Sequence, residues 1–151
     1  WGFDANHIPV REAFPWTPNP DHAGTAVFYK GTGSWWDQSY FRTGESEKIA
    51  LSVQQKDTTS IWNLYRRLID FRKTNRAITE GNFYQIQTGS PDILAFSRES
   101  GNEKVVVMLN LSENTVTIKL PSVKKYQFQQ KIRTDGDNLV FKPYGYIVQK
   151  Q

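Results

Sequence analysis

The sequence predicts an antiparallel β-sandwich in the second half of the chain, preceded by a long irregular segment and one amphipathic helix. Residues 1–57 carry prolines and glycines but no apolar periodicity, and residues 58–74 repeat apolar side chains at helical spacing. After Gly81, apolar segments alternate with turn sequences. These segments recur roughly every 8–14 residues with no helical pattern between them, which is typical of a sandwich.

The first 57 residues are read as a loop region because prolines and the turn cluster at 31–34 interrupt any regular element. Aromatic side chains crowd into residues 1–41, and each large ring buries about 150–250 Å² when it packs. An irregular segment cannot cover so many rings by itself. We therefore expect it to lie against a larger body, and we read the chain as the C-terminal piece of a longer polypeptide.

The helix is predicted over residues 58–74. Residues 57–60, Asp-Thr-Thr-Ser, offer side-chain oxygens that can cap its first N–H groups. Apolar side chains then recur at i, i+3 and i+4 and make one stripe along the helix. Arg72 and Lys73 fall in the last turn, where cations complement the helix dipole.

The predicted strands include Ile93–Phe96, Val105–Leu109, Val116–Leu120 and Tyr144–Val148. The first two are continuous apolar runs, as expected of central strands, and the third alternates apolar with polar side chains. Turn sequences separate the strands at residues 89–92, 100–102 and 135–138.

Composition narrows the class of protein. The 151 residues carry a formal net charge of +4 with scattered lysines and arginines, so we expect a solvated surface and no nucleic-acid partner. The longest apolar run, Val105–Leu109, is far shorter than the roughly 20 residues of a membrane span, and no signal peptide is visible. There is no cysteine, hence no disulfide or thiolate metal site. The compartment stays unknown, with secretion or the periplasm favoured over the cytoplasm.

Two blocks of sequence resemble a known enzyme family. Residues 10–16 read Val-Arg-Glu-Ala-Phe-Pro-Trp, where Arg11 precedes a rigid apolar wedge. They resemble the Arg-x-Pro-Met-x-Trp signature of glycoside hydrolase family 13, the α-amylase and α-glucosidase family, with Ala-Phe-Pro in place of the usual Pro-Met. Residues 53–57, Ser60 and residues 64–73 are similar to the family's Val-x-x-Gln-x-x-Asp-x-x-Ser…Tyr-x-x-Leu-Ile-x-Leu-Arg-Lys pattern, with minor differences in spacing.

The resemblance implies two domains. Residues 1–80 would be the C-terminal end of a (β/α)₈ TIM barrel, comprising the last loop excursion and the last helix. Residues 81–151 would be the C-terminal antiparallel β-sandwich domain. The remainder of the catalytic barrel is then the expected partner of this chain, and an α-glucan oligosaccharide the expected ligand.

The catalytic carboxylates that the resemblance would require are missing. Retaining glycosidases need two carboxyl groups about 5–5.5 Å apart. In family 13 these groups come from earlier barrel strands, and neither an Asp-x-x-Arg-x-Asp motif nor a His-Asp dipeptide occurs here. We therefore expect no catalytic residue in this chain and no activity from it alone, whereas the parent would be an α-amylase-like retaining glycosidase acting on α-1,4-glucans.

Arg11, Trp35 and Trp36 are the candidate substrate-binding residues. The resemblance implies that Arg11, together with an aspartate from the barrel, binds hydroxyls of the sugar at subsite −1; alternatively it only ties the loop to an acidic barrel residue. The two tryptophans offer flat apolar surfaces for sugar rings, or else pack the loop onto the barrel. The adjacent Glu12 is read as a solvated charge.

No cofactor and no metal site are expected in this chain. His7 and His22 lack clustered acids nearby, and residues 135–138, Asp-Gly-Asp-Asn, lack the remaining ligands of a calcium loop, so a hairpin turn is favoured there. Calcium in the parent would use residues elsewhere. Asn110 belongs to a formal glycosylation acceptor, Asn-Leu-Ser, but follows a buried strand and is read as structural.

Two other functions stay open at this point. The parent could be an exo-acting α-glucosidase, an oligosaccharide glucosidase or a transglycosylase. Alternatively, the β-domain could be a non-catalytic carbohydrate-binding module with an aromatic stripe on one sheet face, or a purely structural cap on the barrel. The candidate stripe consists of Tyr84, Tyr126, Tyr144 and Tyr146.

Overall fold

A computed structural model describes residues 13–19, 21, 24, 43–119 and 125–151. The chain divides into two compact units, Trp1–Ile69 and Asp70–Gln151. The domain assignment drawn from the sequence, 1–80 and 81–151, stays a prediction, as does the assignment of the first part to a barrel. None of the helices in the described ranges is long and apolar enough to cross a membrane.

Two single-turn helices, α1 (Ser46–Ile49) and α2 (Leu51–Gln54), lie in the first unit. The prediction of loop throughout residues 1–57 is wrong for these turns. Ala50 separates them with an extended backbone, ψ 140°. Each turn is too short to show an apolar repeat. Helix α2 is stabilised by another segment of the chain, because its first N–H groups donate to the carbonyls of residues 15 and 16.

Helix α3 (Ile61–Lys73) confirms the predicted amphipathic helix. It begins at residue 61, because Ser60 is the residue that caps it: the Asn63 N–H donates to Ser60 Oγ at 3.2 Å. Arg72 and Lys73 occupy the last turn as expected.

A fourth short helix, α4 (Arg76–Thr79), precedes the sheet in the second unit. Gly81 follows it, and a Cβ on this residue would lie only 2.3 Å from the Ala77 carbonyl oxygen and 2.7 Å from that of Glu99. Only glycine lets the backbone pass this close to both groups. Gly81 therefore marks the transition from helix to sheet for a steric reason.

Within the described residues the sheet has six strands: β1 (Asn82–Gln85), β2 (Ile93–Ser100), β3 (Glu103–Asn110), β4 (Val116–Lys119), β5 (Phe128–Asp135) and β6 (Asn138–Lys150). Every pairing is antiparallel, in the order β1-β2-β3-β6-β4, and β5 also pairs with β6. The antiparallel β-domain predicted from the sequence is confirmed. The predicted turns at 100–102 and 135–138 connect β2 to β3 and β5 to β6.

Strand β6 joins the two parts of the sheet. Its first residues, 138–141, pair with β4, and its last residues, 146–150, pair with β3, while β5 runs along both parts. Between them the register with β5 shifts, and Lys131 and Tyr144 adopt positive φ of 54° and 57°. A Cβ on Gly145 would lie 2.7 Å from the Lys131 carbonyl oxygen. This irregularity lets one strand serve two partners on the same edge.

The core lies on one face of the sheet. It consists of Ile93, Ala95, Val106, Met108, Ile118, Leu139, Phe141 and Ile147. The members alternate along their strands, as expected when one face of an antiparallel sheet is buried. Val105 and Val106 are both buried, so β3 is covered on both sides, in agreement with its prediction as a central strand.

Candidate functional site

Arg11, Trp35 and Trp36 lie outside the described residues, as do Glu12, His7 and His22. Their roles stay predictions. What the structure does describe is the segment 13–19, which follows Arg11 directly and contains the wedge Phe14-Pro15-Trp16.

The backbone of segment 13–19 is fastened to the two short helices. The Leu51 N–H donates to the Pro15 carbonyl at 2.9 Å, and the Ser52 N–H donates to the Trp16 carbonyl at 3.0 Å. The Ser46 hydroxyl donates to the Pro18 carbonyl at 3.3 Å. Helix α2 therefore holds the backbone of the wedge by its N-terminal N–H groups, and the role of the wedge beside Arg11 stays a prediction.

The two rings of the wedge point away from this anchor. Phe14 and Trp16 contact each other edge to face, with centroids 4.6 Å apart and planes at 63°. They remain 55% and 46% exposed, whereas Ala13 and Pro15 are buried. The sequence indicated a wedge but not which of its members would be uncovered, because exposure depends on tertiary packing. An exposed aromatic pair beside a candidate sugar-binding arginine can contact either substrate or protein.

The second family block is a hydrogen-bonded lock between α2 and α3. Asp57 Oδ1 accepts the Thr59 N–H at 2.8 Å and the Thr59 hydroxyl at 2.7 Å, and the hydroxyl contact is the main cause that lowers the pKa of Asp57. The Ser60 hydroxyl donates to the Gln54 carbonyl at 2.7 Å. These motif residues are engaged with the backbone, so their role here is structural.

Asn63 completes this lock, and the sequence gave no reason to single it out. Its side-chain amide donates to the carbonyls of Gln54 at 2.9 Å and Asp57 at 2.8 Å. The Gln54 side chain bridges the same corner, donating to the Ile49 carbonyl at 2.7 Å and accepting the Trp62 N–H at 3.2 Å. One asparagine thus adds a second donor to each of two carbonyls that Ser60 also contacts, through its hydroxyl at Gln54 and its N–H at Asp57.

Helix α3 carries an uncovered apolar stripe. Ile61, Tyr65 and Ile69, spaced four residues apart, are 67%, 63% and 48% exposed, and no residue of the helix is buried. Residues at this spacing lie above one another on a helix. The amphipathic pattern that predicted the helix therefore faces outward along this stripe.

The sheet also has a second apolar face, which we call the outer face. By register, Phe83, Leu94, Phe96, Val107 and Val148 lie on the side opposite the core. Phe83 stacks on Phe96 with centroids 5.1 Å apart and planes at 29°. Phe83 and Leu94 are exposed. A sheet buried on one face only would carry polar residues here, so the outer face has the composition of an interface.

The four candidate tyrosines do not form a single stripe. Tyr84 is exposed and pairs with Ser97 on the core side of the sheet, whereas Tyr146 pairs with Leu109 on the outer face. Tyr126 packs against the core, and burial raises its pKa. Tyr144 is exposed, with its hydroxyl 3.3 Å from Glu113 Oε1. The aromatic stripe expected of a binding module is therefore a wrong prediction, because the strand register divides its members between opposite faces.

Asn110 has the structural role that the sequence suggested. It is buried, and its amide donates to the carbonyls of Asn114 at 2.7 Å and Lys142 at 3.1 Å. Its Oδ1 accepts the Ser112 N–H at 3.0 Å. Glycosylation would replace one of the two amide hydrogens and place a glycan on a buried side chain, so the Asn-Leu-Ser sequence is a structural corner in the folded chain.

The Asp135–Asn138 segment forms the predicted hairpin turn. Asp135 pairs with Asn138, and Gly136 adopts a φ of +56°, as a two-residue hairpin needs at its first central position. In the part of the chain that the structure describes, no three His, Cys, Asp or Glu residues gather into a group that could hold a metal ion.

Residues 83–148 match the family described as Maltogenic Amylase, C-terminal domain. Alpha-amylase 3 of Dictyoglomus thermophilum is 29% identical over 144 residues, which is 93% of this chain and 27% of that protein. The oligo-1,6-glucosidase of Heyndrickxia coagulans is 30% identical over 131 residues, or 82% of this chain and 23% of that protein.

A solved structure described as a "Family GH13_31 enzyme" superposes with a TM-score of 0.61 at 25% identity, over 70% of this chain and 19% of that one. The chain thus spans about a quarter of the length of the curated relatives it matches. The chain belongs to the α-amylase family, glycoside hydrolase family 13, and carries the C-terminal β-domain of that family.

Proposed function

We propose that this chain is the closing part of an α-amylase-like retaining glycosidase that acts on α-1,4-glucans. It supplies the last barrel helix, α3, and the C-terminal β-domain, and it does not cleave glycosidic bonds by itself. The observation that carries this proposal is the uncovered stripe Ile61, Tyr65 and Ile69 on α3.

Exposing the three side chains of the stripe to water is energetically unfavourable, so we expect another element to cover them. Burying a large apolar side chain contributes about 1.5–3 kcal/mol relative to leaving it exposed. A helix that presents three such side chains in a row has the pattern of a helix that packs against other elements. In a (β/α)₈ barrel, those elements are the strands and the neighbouring helices of the outer ring.

The outer face of the sheet supports a structural role for the β-domain. Phe83, Leu94 and Phe96 offer apolar surface on the side away from the core. We propose that the part of this face around Phe83 and Phe96 covers part of the catalytic domain, which makes the β-domain a cap on the barrel, while Leu94 near the start of β2 stays accessible. The division of the tyrosines between opposite faces argues against sugar binding through an aromatic stripe on one face of the sheet.

The catalytic carboxylates would come from the rest of the enzyme. Acid–base and nucleophilic carboxyls must stand about 5–5.5 Å apart in a retaining enzyme, and the sequence motifs that supply them in the family are absent from this chain. Arg11 would bind hydroxyls of the sugar at subsite −1, and Trp35 and Trp36 would contact sugar rings. The anchoring of Pro15 and Trp16 to α2 supports a fixed position for the backbone next to Arg11.

Expression of the 151-residue chain and of the complete enzyme tests this proposal. Only the complete enzyme should release reducing sugars from starch, and activity in the chain alone would contradict it. Product analysis on starch and on maltose then separates endo-acting amylase from the alternative, an exo-acting α-glucosidase, oligosaccharide glucosidase or transglycosylase. Internal cleavage of starch with slow attack on maltose is the expected result.

A further inference from the structure

A pocket of about 390 Å³ opens at one end of the β-domain. The β1–β2 connection forms one wall, and the beginning of β2 and the residue that follows β3 form the other. Residues that line it include Gln85, Gln87, Thr88, Ser90, Leu94 and Leu111. This volume falls within the range of about 300–1,000 Å³ that is typical of small-ligand sites.

The lining combines uncharged polar groups with apolar surface. Gln85 and Gln87 contribute amides, and Thr88 and Ser90 contribute hydroxyls. Leu94 and Leu111, both exposed, provide apolar surface. None of the described residues that line the pocket carries a charge. A phosphate or carboxylate ligand would find no cation here, so the lining favours a neutral ligand.

The two glutamine amides are available to a ligand. Neither side chain has a hydrogen-bond partner within the described part of the chain. Each amide offers two donor hydrogens and one acceptor oxygen, a set that matches the donor and acceptor character of a hydroxyl. Because Gln85 and Gln87 are two positions apart, they can address neighbouring hydroxyls of one ligand.

The pocket wall is held in place before any ligand binds. The Ile86 N–H donates to the Ala95 carbonyl at 2.9 Å, and the Leu111 N–H donates to the Asp92 carbonyl at 2.9 Å. The Thr88 hydroxyl donates to the Ser90 carbonyl at 3.2 Å. A wall ordered in advance reduces the entropy that binding would otherwise cost.

We infer that this pocket binds a neutral oligosaccharide, with hydroxyls on the two glutamine amides and an apolar ring face on Leu94 and Leu111. The identity of the sugar as an α-glucan rests on the proposed function; the preference for an uncharged, hydroxyl-rich ligand rests on the lining. Because the described lining residues include no aromatic side chain, we expect the oligosaccharide to bind with a dissociation constant in the millimolar range.

Titration of the 151-residue chain with maltoheptaose tests the inference, read out by NMR on the methyl groups of Leu94 and Leu111. These methyls should shift with saturation in the wild type. Gln87→Leu, which removes the amide but keeps a side chain of similar size, should weaken binding about tenfold. Gln129→Leu on β5 is the matched control, since it removes an exposed glutamine amide outside the lining, and it should bind like the wild type.

Equal affinity of wild type and Gln87→Leu, or an absence of methyl shifts in the wild type, would overturn the pocket assignment. Starch hydrolysis by the complete enzyme is followed in parallel. Absence of that activity in the complete wild-type enzyme counts against the proposed function, whereas an unchanged maltoheptaose affinity of Gln87→Leu, with the complete enzyme active, counts against the pocket alone. Thermal unfolding of each variant confirms that the fold is retained.

Discussion

The carbonyl oxygen of Pro15 lies 2.9 Å from the backbone nitrogen of Leu51, the first residue of α2. This hydrogen bond connects the segment that follows Arg11 with a helix nearly forty positions later in the sequence. It makes the orientation of the wedge depend on the N-terminal N–H groups of a single helical turn.

Leu51→Pro removes the donor of this hydrogen bond without breaking α2. Proline is accepted at the first position of a helix, and Ala50 already has the extended backbone that a following proline requires. We expect a loss of about 0.5–1.5 kcal/mol in the free energy of unfolding beyond that of Leu51→Ala, which loses the side chain but keeps the N–H. Denaturant unfolding of both variants measures the difference, and equal stabilities would show that the bond contributes nothing.

Arg11→Ala should lower kcat/KM of the complete enzyme by roughly ten- to a hundredfold. A hydrogen bond to a charged group is worth about 1.5–3 kcal/mol, and this bond would be lost from the sugar at subsite −1. Arg67→Ala, an exposed arginine of α3, is the control and should leave the kinetics unchanged. Normal kinetics of Arg11→Ala on short substrates would remove Arg11 from the site.

Ile69→Asp should have a different effect on the stability of the 151-residue chain and on that of the complete enzyme. In the 151-residue chain Ile69 is 48% exposed, so the change should cost little stability. In the complete enzyme, where we propose that the stripe is buried, it should cost at least about 1.5–3 kcal/mol. Arg67→Asp introduces the same carboxylate away from the stripe, with the additional loss of one positive charge. Similar melting temperatures for Ile69→Asp and wild type in the complete enzyme would refute burial of the stripe.

Asn63→Asp should destabilise the corner between α2 and α3. The substitution replaces the amide donor by a carboxylate that faces the carbonyls of Gln54 and Asp57, so two hydrogen bonds become repulsive contacts. Each of the two lost hydrogen bonds contributes about 0.5–1.5 kcal/mol, and both carbonyls keep a bond from Ser60. Asn102→Asp, in the exposed β2–β3 turn, serves as control, and chemical denaturation gives the comparison.

Ion pairs of two glutamates at the β2–β3 end of the sheet should make the stability of the fold sensitive to acid. The ammonium of Lys104 lies 2.8 Å from Glu99 and that of Lys150 lies 3.3 Å from Glu103, and each contact lowers the pKa of its glutamate from the ordinary value of 4.5. A lowered pKa in the folded state gives stability that is present above pH 4.5 and is lost as the pH falls through the folded-state pKa.

The double variant Glu99→Gln/Glu103→Gln should therefore show a flatter dependence of unfolding free energy on pH below about 4.5 than the wild type. Added salt should reduce the difference, because both pairs are at the surface. Unfolding curves at several acidic pH values provide the measurement. Identical slopes in the two proteins would show that the ion pairs do not contribute.

The elements that could be predicted from the sequence are those with a periodic pattern of their own. Helix α3 and strands β2 and β3 carry long apolar repeats, and the sequence predicts all three to within a few residues. Strand β5 was not located, because its sequence Phe-Gln-Gln-Lys-Ile-Arg-Thr-Asp contains few apolar residues and is defined by its pairing with β6. The single turns α1 and α2 likewise depend on tertiary hydrogen bonds.

The candidate site was predictable in residue type and only partly in arrangement. The block around Ser60 was identified as a family motif, but its lock depends on Asn63, which reaches carbonyls that only the folded corner places within range. The pocket at Gln87 gave no sequence signal, since isolated glutamines and leucines are common on surfaces. Such a site exists only once the β1–β2 connection lies beside the residue that follows β3.

Strand β6 has a consequence for biosynthesis. Because it lies between β3, β4 and β5, none of these strands can complete its pairing before residues 138–150 leave the ribosome. The hairpin of β2 and β3 can form early, whereas the sheet as a whole closes only after Lys150 has been translated. A nonsense mutation ahead of Asn138 would leave three strands with exposed edges, which are templates for aggregation.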